Sequence, residues 1–347
     1  MYMGLKQFKL HAVRAYISVG LFFYYKQIHV KGAEFVPKAK PVLILSNHQN
    51  ALLDPLLIAT QSKRFCYYLT RAAVFQKPFI SKLLKGLNML PVYRVRDGWQ
   101  TITNNNAVFE TCKGLLKNNE ALVIFPEGSH NLNRKVRPLS KGFTRIILDT
   151  LEVYPDLDLQ LLPVGVNYIS PEDYADSMLL NIGKPISAQR YRHLEKTEAV
   201  IALKRDIQNE IQLLTTHIAD NHDEVVSTLV NEEADFLNPD AINHYLEHDE
   251  KVSDFEVKRS VFEPLGTGFR FLLKLVLLPV YALWKLVLQP KIKEKEFTGT
   301  FRFAVGLTAV PLWLLIVLLI IGMNLGWPIA LGSVLVVCVI ALVAVKL

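Results

Sequence analysis

Short apolar runs alternate with longer helical stretches over the first half of the chain. PVLILS (41–46), RFCYYLT (64–70), LPVYRV (90–95), ALVIF (121–125) and LQLLPVGVNY (159–168) are apolar at consecutive rather than alternate positions. That pattern suits strands covered on both faces. The segments between them are long enough for crossover helices, which predicts an α/β fold with a mainly parallel sheet flanked by helices. QIHVKG alternates like a short strand closed by Gly32. Residues 4–27 read as a helix rich in aromatic and basic side chains, suited to membrane contact. After IGKPI (182–186) the chain turns polar and helical through about residue 260.

The tail changes character. From Phe303 to Val345 no residue is charged, which accommodates two spans of about 20 residues each. They are placed at 304–323 and 327–345, turning at Asn324 to Pro328. Segment 270–288 is also apolar, but at 100° per residue Arg270, Lys274, Tyr281 and Lys285 fall within roughly 60° of one another. Burying the two lysines at mid-bilayer would cost about 2.5 to 3.5 kcal/mol each. With Pro279 in its middle, this segment predicts an interfacial helix whose lysines snorkel. The basic loop QPKIKEKEFTGTFR that follows belongs on the cytoplasmic side. The expected organisation is therefore a membrane-contacting helix (1–29), an α/β domain (30–190), a polar helical extension (191–265) and a C-terminal membrane region (266–347) containing a transmembrane hairpin. The protein is expected to be integral to a membrane, with its α/β domain on the cytoplasmic face.

Charge and cysteine usage narrow the partners. The net charge is +7, with basic residues concentrated at the N-terminus, around Arg134 to Arg145 and from Lys285 to Arg302. No zinc-finger or RNA-binding motif accompanies them, so anionic lipid and phosphorylated small substrates fit better than nucleic acid. The three cysteines (Cys66, Cys112, Cys338) have neither disulfide nor metal spacing. A secretory signal peptide is not evident.

Candidate chemistry sits where the apolar runs stop. LILSNHQNALLDP (43–55) puts Asn47 and His48 at the end of one strand and Asp54 shortly after. Asp54 has two readings: a partner for His48, or the N-cap of a helix with Pro55 at its first position. Six positions along a regular helix turn a side chain by 600°, leaving the two about 120° apart. Pairing therefore requires His48 to lie in the loop with Asp54 reaching back, or the extra residue to bulge. FPEG (125–128) ends another strand, at the edge where open α/β sheets gather ligands. LPVYRVRDG brings Arg94, Arg96 and Asp97 to a third strand end, and LPVGVNY adds Pro163 and Gly165. No G-x-S-x-G, Walker A, G-x-G-x-x-G or H-E-x-x-H motif is present.

As an ordered set, VKG (30–32), SNHQNALLD, LPVYR, FPEG, LPVGV and GKPI resemble the glycerolipid acyltransferase family, which includes 1-acylglycerol-3-phosphate and glycerol-3-phosphate acyltransferases. The resemblance covers roughly the middle 160 residues. It implies His48 and Asp54 as the catalytic pair, and Asn47, Arg94, Glu127, Gly128 and Lys141 around the substrate. It also implies acyl-CoA or acyl carrier protein as donor, and 1-acylglycerol-3-phosphate (lysophosphatidate) as acceptor, giving phosphatidic acid in phospholipid biosynthesis. Glycerol-3-phosphate or dihydroxyacetone phosphate is the alternative acceptor, and a non-catalytic lipid-binding protein the alternative class. No metal or bound cofactor is required. The chemistry is consistent: an imidazole takes the hydroxyl proton, and a carboxylate on its far nitrogen fixes the tautomer. Two departures stand out. Five residues rather than the usual four separate His48 from Asp54, and FPEGSH replaces the common FPEGTRS, leaving His130 at the arginine position. Arg134, Arg137 and Lys141 lie close behind and could supply the missing charge. Both departures look similar to a fungal-type branch acting on glycerol-3-phosphate and dihydroxyacetone phosphate.

Overall fold

The structure is a computed structural model that describes residues 4–93, 103, 105–251, 255–256 and 262–347. One sheet organises it, made of β1 (Gln27–Lys31), β2 (Val42–Ser46), β3 (Cys66–Arg71), β4 (Met89–Val92), β5 (Ala121–Ile124), β6 (Gln160–Tyr168), β7 (Ser177–Ile182) and β8 (Ile186–Ser187). The spatial order is β1-β7-β6-β2-β5-β3-β4, with β8 against β6. Only the β6–β7 and β6–β8 pairings are antiparallel among the described residues. The mainly parallel α/β sheet expected from the sequence is present. β7, whose SMLLNI run was not predicted as a strand, returns beside β6 and carries β1 on its far edge.

β2 shows why its residues are apolar without interruption. Side chains alternate across a strand. Leu43 and Leu45 enter a core with α4 (Asn105–Lys117), α5 (Gly142–Val153) and α6 (Lys196–Leu214). Val42 and Ile44 face the opposite way, toward α1 (Leu5–Phe22) and α2 (Leu53–Gln61). Each fully buried Leu or Ile contributes about 1.5–3 kcal/mol. α3 (Pro78–Gly86) bridges β3 and β4 in sequence. α6 buries Ala199, Leu203, Ile207 and Ile211, one per turn, in the first core. α7 (His222–Asn231) and α8 (Pro239–His248) surround a small separate cluster that includes Leu229, Phe236, Ile242 and Phe255.

In the tail, α9 (Glu263–Val276) and α10 (Leu278–Ala282) are followed by a π-helical turn, Leu283–Leu288. Segment 270–288, expected as one helix, is bent. The two arms meet at 91° across Leu277. Pro279 explains the site of the break: it lacks the N–H a continuous helix needs, yet suits the first turn of a new one. α11 (Thr298–Leu325) and α12 (Trp327–Lys346) are long and apolar enough to cross a membrane. They contain the segments 304–323 and 327–345.

Both ends of this helical pair are fastened to the sheet domain. Leu52 donates its N–H to Thr300 Oγ1 at 3.0 Å, and the Tyr24 hydroxyl donates to the Gly299 carbonyl at 3.2 Å. At the other end, the Lys346 ammonium donates to the carbonyls of Tyr25 and Lys26 at 2.9 and 3.1 Å.

Candidate active site

β2 lies between β5 and β6, so its carboxyl end opens beside theirs. Asn47 and His48 leave this end in a loop that turns back at Asn50, whose carbonyl accepts the N–H groups of Leu53 and Asp54 at 2.8 and 3.3 Å. Ala51 has φ +28°, a region costing an L-residue about 1–2 kcal/mol. The surplus residue of the His–Asp interval is absorbed here, as a bulge before α2.

Asp54 sits in the first turn of α2 and is not its N-cap, which is Leu52. Its Oδ2 accepts from His48 Nδ1 at 2.7 Å and from the N–H groups of Gln49 and Asn50 at 2.8 Å each. Oδ1 accepts from the Tyr168 hydroxyl at 2.6 Å. With donors on both oxygens, the carboxylate acts as acceptor only, so Nδ1 of His48 carries the proton. In the neutral ring Nε2 then bears the lone pair. The Asp54 side chain is 0% exposed and that of His48 is 15% exposed. The carboxylate is sealed while the imidazole bonded to it keeps an opening. The His48 ring stacks on Phe125, with centroids 4.1 Å apart, and meets the His130 ring edge-on at 5.6 Å.

FPEG forms the adjoining wall. Gly128 has φ +76°, and a Cβ there would meet nothing within 4 Å, so the turn needs glycine and faces open space. The Glu127 side chain is 3% exposed and pairs with Arg137, whose Nε donates to Oε2 at 2.7 Å. Arg137 also donates to Ser129 Oγ at 2.7 Å and to the Ser129 carbonyl. Burial raises the Glu127 carboxyl above its usual range, and the Arg137 guanidinium opposes this. Burial, with the His48 ring adding to it, lowers the His130 imidazole. His130 also meets Phe297, just ahead of α11, at 4.7 Å. Its ligating atoms and those of Glu294 and Glu296 lie within 4.8 Å of one another.

Residues 27–167 match the acyltransferase family. A 1-acyl-sn-glycerol-3-phosphate acyltransferase of Borreliella burgdorferi is 25% identical over 208 residues, covering 60% of this chain and 75% of its own. The matched segment is an acyltransferase domain similar to glycerolipid acyltransferases. An uncharacterized acyltransferase of Schizosaccharomyces pombe is 21% identical over 295 residues, covering 59% of this chain. The chain spans 43% of that relative's length. Among solved structures, the 1-acyl-sn-glycerophosphate (LPA) acyltransferase from Thermotoga maritima is 18% identical, with a TM-score of 0.42, over 59% of this chain and 80% of that one.

For this acyltransferase domain, the described residues expected around the substrate divide into three groups. Glu127 and Gly128 lie in the turn beside His48. Glu127 reaches outward through Arg137, which the sequence offered only as one of three stand-ins for a missing arginine. Lys141 is exposed at the N-cap of α5, and its neighbour Ser140 donates its N–H to the Pro126 carbonyl at 2.8 Å. Asn47 turns inward: its amide donates to the Val166 carbonyl at 2.9 Å and accepts the Val166 N–H at 2.7 Å. It ties the His48 loop to β6 instead of facing outward. Arg94, Arg96 and Asp97 lie outside the described residues.

Arg134 turns away. It is buried, donates to the Tyr168 and Ile169 carbonyls at 2.7 Å each, and stacks 3.7 Å from the Phe236 ring. Gly165 is a packing residue, since a Cβ there would fall 2.2 Å from the Leu214 carbonyl oxygen. Tyr168 and Thr300 escaped the sequence reading. Tyr168 had a signal, because it closes the longest strand run and so outreaches β2. Thr300 had none.

Proposed function

We propose that the protein transfers a fatty acyl group from an acyl thioester to the free hydroxyl of 1-acylglycerol-3-phosphate, giving phosphatidic acid at a membrane surface. The observation that carries this reading is the 2.7 Å contact between His48 Nδ1 and the sealed Asp54, which leaves Nε2 available beside the FPEG turn. His48 Nε2 takes the hydroxyl proton as the oxygen attacks the thioester carbonyl. Asp54 stabilises the imidazolium that forms. Collapse of the tetrahedral intermediate breaks the carbon–sulfur bond, and the imidazolium returns its proton to the departing thiolate. Neither a serine nor a cysteine nucleophile takes part.

The acceptor phosphate is assigned to Arg137 and Lys141, with Arg94 as a further contact. Arginine's planar fork suits a phosphate, and Glu127 holds the Arg137 fork in place. The donor is acyl-CoA or acyl carrier protein. α11 and α12 cross the membrane in this reading, and the basic loop before them places the domain on the cytoplasmic face. The FPEGSH departure favours a second acceptor, glycerol-3-phosphate or dihydroxyacetone phosphate.

Thiol release from oleoyl-CoA and from an acyl carrier protein, assayed with lysophosphatidate, glycerol-3-phosphate and dihydroxyacetone phosphate in turn, tests the reading. Turnover should be greatest with lysophosphatidate and fall about 10²–10⁴-fold in His48→Ala. Turnover that survived this substitution would make the protein a lipid binder rather than an enzyme with this mechanism. A cysteine placed at the exposed Lys293 should react with a membrane-impermeant reagent only from the cytoplasmic side.

A further inference from the structure

The polar stripe of segment 270–288 has a use the acyl transfer does not absorb. The 91° break turns Arg270, Lys274, Tyr281 and Lys285 toward a cavity of about 570 Å³. Its other walls are α1, α11 and α12, with Arg302 of α11 and Asp173 also facing in. This volume is within the usual range of about 300–1,000 Å³ for small-molecule sites. Four cations and one carboxylate give the lining a formal charge of +3.

Among the described residues, none of the four cations pairs with a carboxylate. Arg302 donates to the Glu172 carbonyl at 2.7 Å and lies 5.3 Å from the Trp284 ring. Arg270 donates to Thr267 Oγ1 at 2.9 Å, and Lys274 sits 5.7 Å from the Tyr281 ring. The rest of the wall is apolar and runs along α11 through Leu307, Val310 and Leu314. The combination is a cationic mouth continuous with an apolar trough on a candidate span. That shape suits an amphiphile with an anionic head, and the charge selects among them. A phosphomonoester carries about −1.5 to −2 near neutral pH, where a phosphodiester carries only one charge.

We propose that this cavity binds a lipid with a phosphomonoester headgroup, its phosphate among Arg270, Lys274, Lys285 and Arg302 and its acyl chain along α11. The proposed function enters only in that its acceptor and product share this headgroup. Arg302 lies less than one helical turn beyond Thr300, which holds the Leu52 N–H of the His48 loop.

Trp284 reports on the site directly. The full chain bearing Trp99→Phe, Trp313→Phe and Trp327→Phe is reconstituted in phosphatidylcholine vesicles. Lipids brominated on the acyl chain are then added at equal mole fraction. Dibromo-phosphatidate should quench Trp284 at least threefold more than dibromo-phosphatidylserine or dibromo-phosphatidylcholine. Lys274→Gln/Lys285→Gln should abolish that preference, while His48→Ala should leave it intact. Equal quenching by phosphatidate and phosphatidylserine would overturn the proposal in favour of unselective surface attraction. Should the tryptophan replacements fail to fold, native mass spectrometry of the unaltered chain, comparing retained phosphatidate with phosphatidylserine, makes the same decision. The readout needs no turnover, so absent binding with intact acyl transfer removes this site alone, and the converse removes only the proposed function.

Discussion

Tyr168 and Asp54 meet at 2.6 Å inside the protein, the hydroxyl donating to the carboxylate oxygen that does not serve His48. Asp54, the partner of His48 Nδ1, is thus held from two sides, by the end of β6 and by its own loop. Tyr168→Phe should lower stability by about 1.5–3 kcal/mol, the range for a hydrogen bond to a charged group. It should reduce kcat more than KM, because Tyr168 is fully buried and its hydroxyl reaches His48 only through Asp54. Asp54→Asn should cost more turnover than Tyr168→Phe. Equal losses would mean that Asp54 serves packing more than catalysis. Thermal unfolding in detergent, run beside the thiol-release assay, separates the two effects.

Arg137→Ala should raise KM for the phosphorylated acceptor at least tenfold, about 1.4 kcal/mol. Arg137→Lys should restore only part of it, since an ammonium cannot reproduce the fork. Removing the guanidinium also deprives the buried Glu127 of its counter-charge, a penalty of about 1–3 kcal/mol. Burial already raises the Glu127 carboxyl, and losing Arg137 raises it further. The stability loss should therefore be larger at pH 8, where Glu127 is forced to stay ionised, than at pH 5, where it can take up a proton. A loss independent of pH would contradict the pairing.

Asp176 provides a second pH signature. Its Oδ1 accepts the Ser170 N–H at 3.0 Å, while Oδ2 is buried without a partner among the described residues. Burial pushes this carboxyl from 3.8 up to about 7, against the opposing Ser170 and Ser177 N–H groups and Arg134. The folded state binds the proton more tightly than the unfolded chain. Its stabilising contribution is therefore complete below pH 3.8 and lost as pH rises through about 7. The difference corresponds to about 4 kcal/mol. Unfolding temperatures measured from pH 5 to pH 8 should fall for the wild type and fall less for Asp176→Asn, which should be the more stable protein at pH 8.

Gly299 tests whether the first turn of α11 sets the geometry of the base. A Cβ at this position would lie 3.0 Å from the polar side-chain atoms of Asn50 and 3.1 Å from Leu53 Cδ1. Gly299→Ala should push the His48 loop by a few tenths of an ångström, costing about 1–3 kcal/mol of stability and a larger share of turnover. Gly306→Ala on the same helix, where a Cβ would meet nothing within 4 Å, is the control and should behave as wild type.

Much of the sheet was legible because its central strands are apolar on both faces, and that demand leaves an unbroken signature in PVLILS and ALVIF. β7 was harder. It is short, and its pairing depends on a return from Tyr168 that no local pattern announces. The His48–Asp54 pairing was legible as one of two alternatives. What decided it, the left-handed backbone at Ala51, is a property of the closed loop and not of alanine. Arg137 was visible as a nearby charge, yet its partnership with Glu127 depends on how the chain after FPEG folds back. Thr300 lies 248 positions from Leu52 and emerges only once α11 docks. The stripe on 270–288 was read correctly as polar. The cavity it lines was not visible, because that depends on the bend at Pro279 and on how α1, α11 and α12 pack around it.

The two fastenings of the α11–α12 pair, Thr300 to Leu52 and Lys346 to Tyr25 and Lys26, act as a bracket with a bolt at each foot. A single tether would let the sheet domain swivel above the bilayer like a buoy. Two attachments at the feet of the bracket fix its bearing, so that, with α11 and α12 in a bilayer as proposed, the rim that carries His48 would keep one height and one tilt relative to the lipid surface.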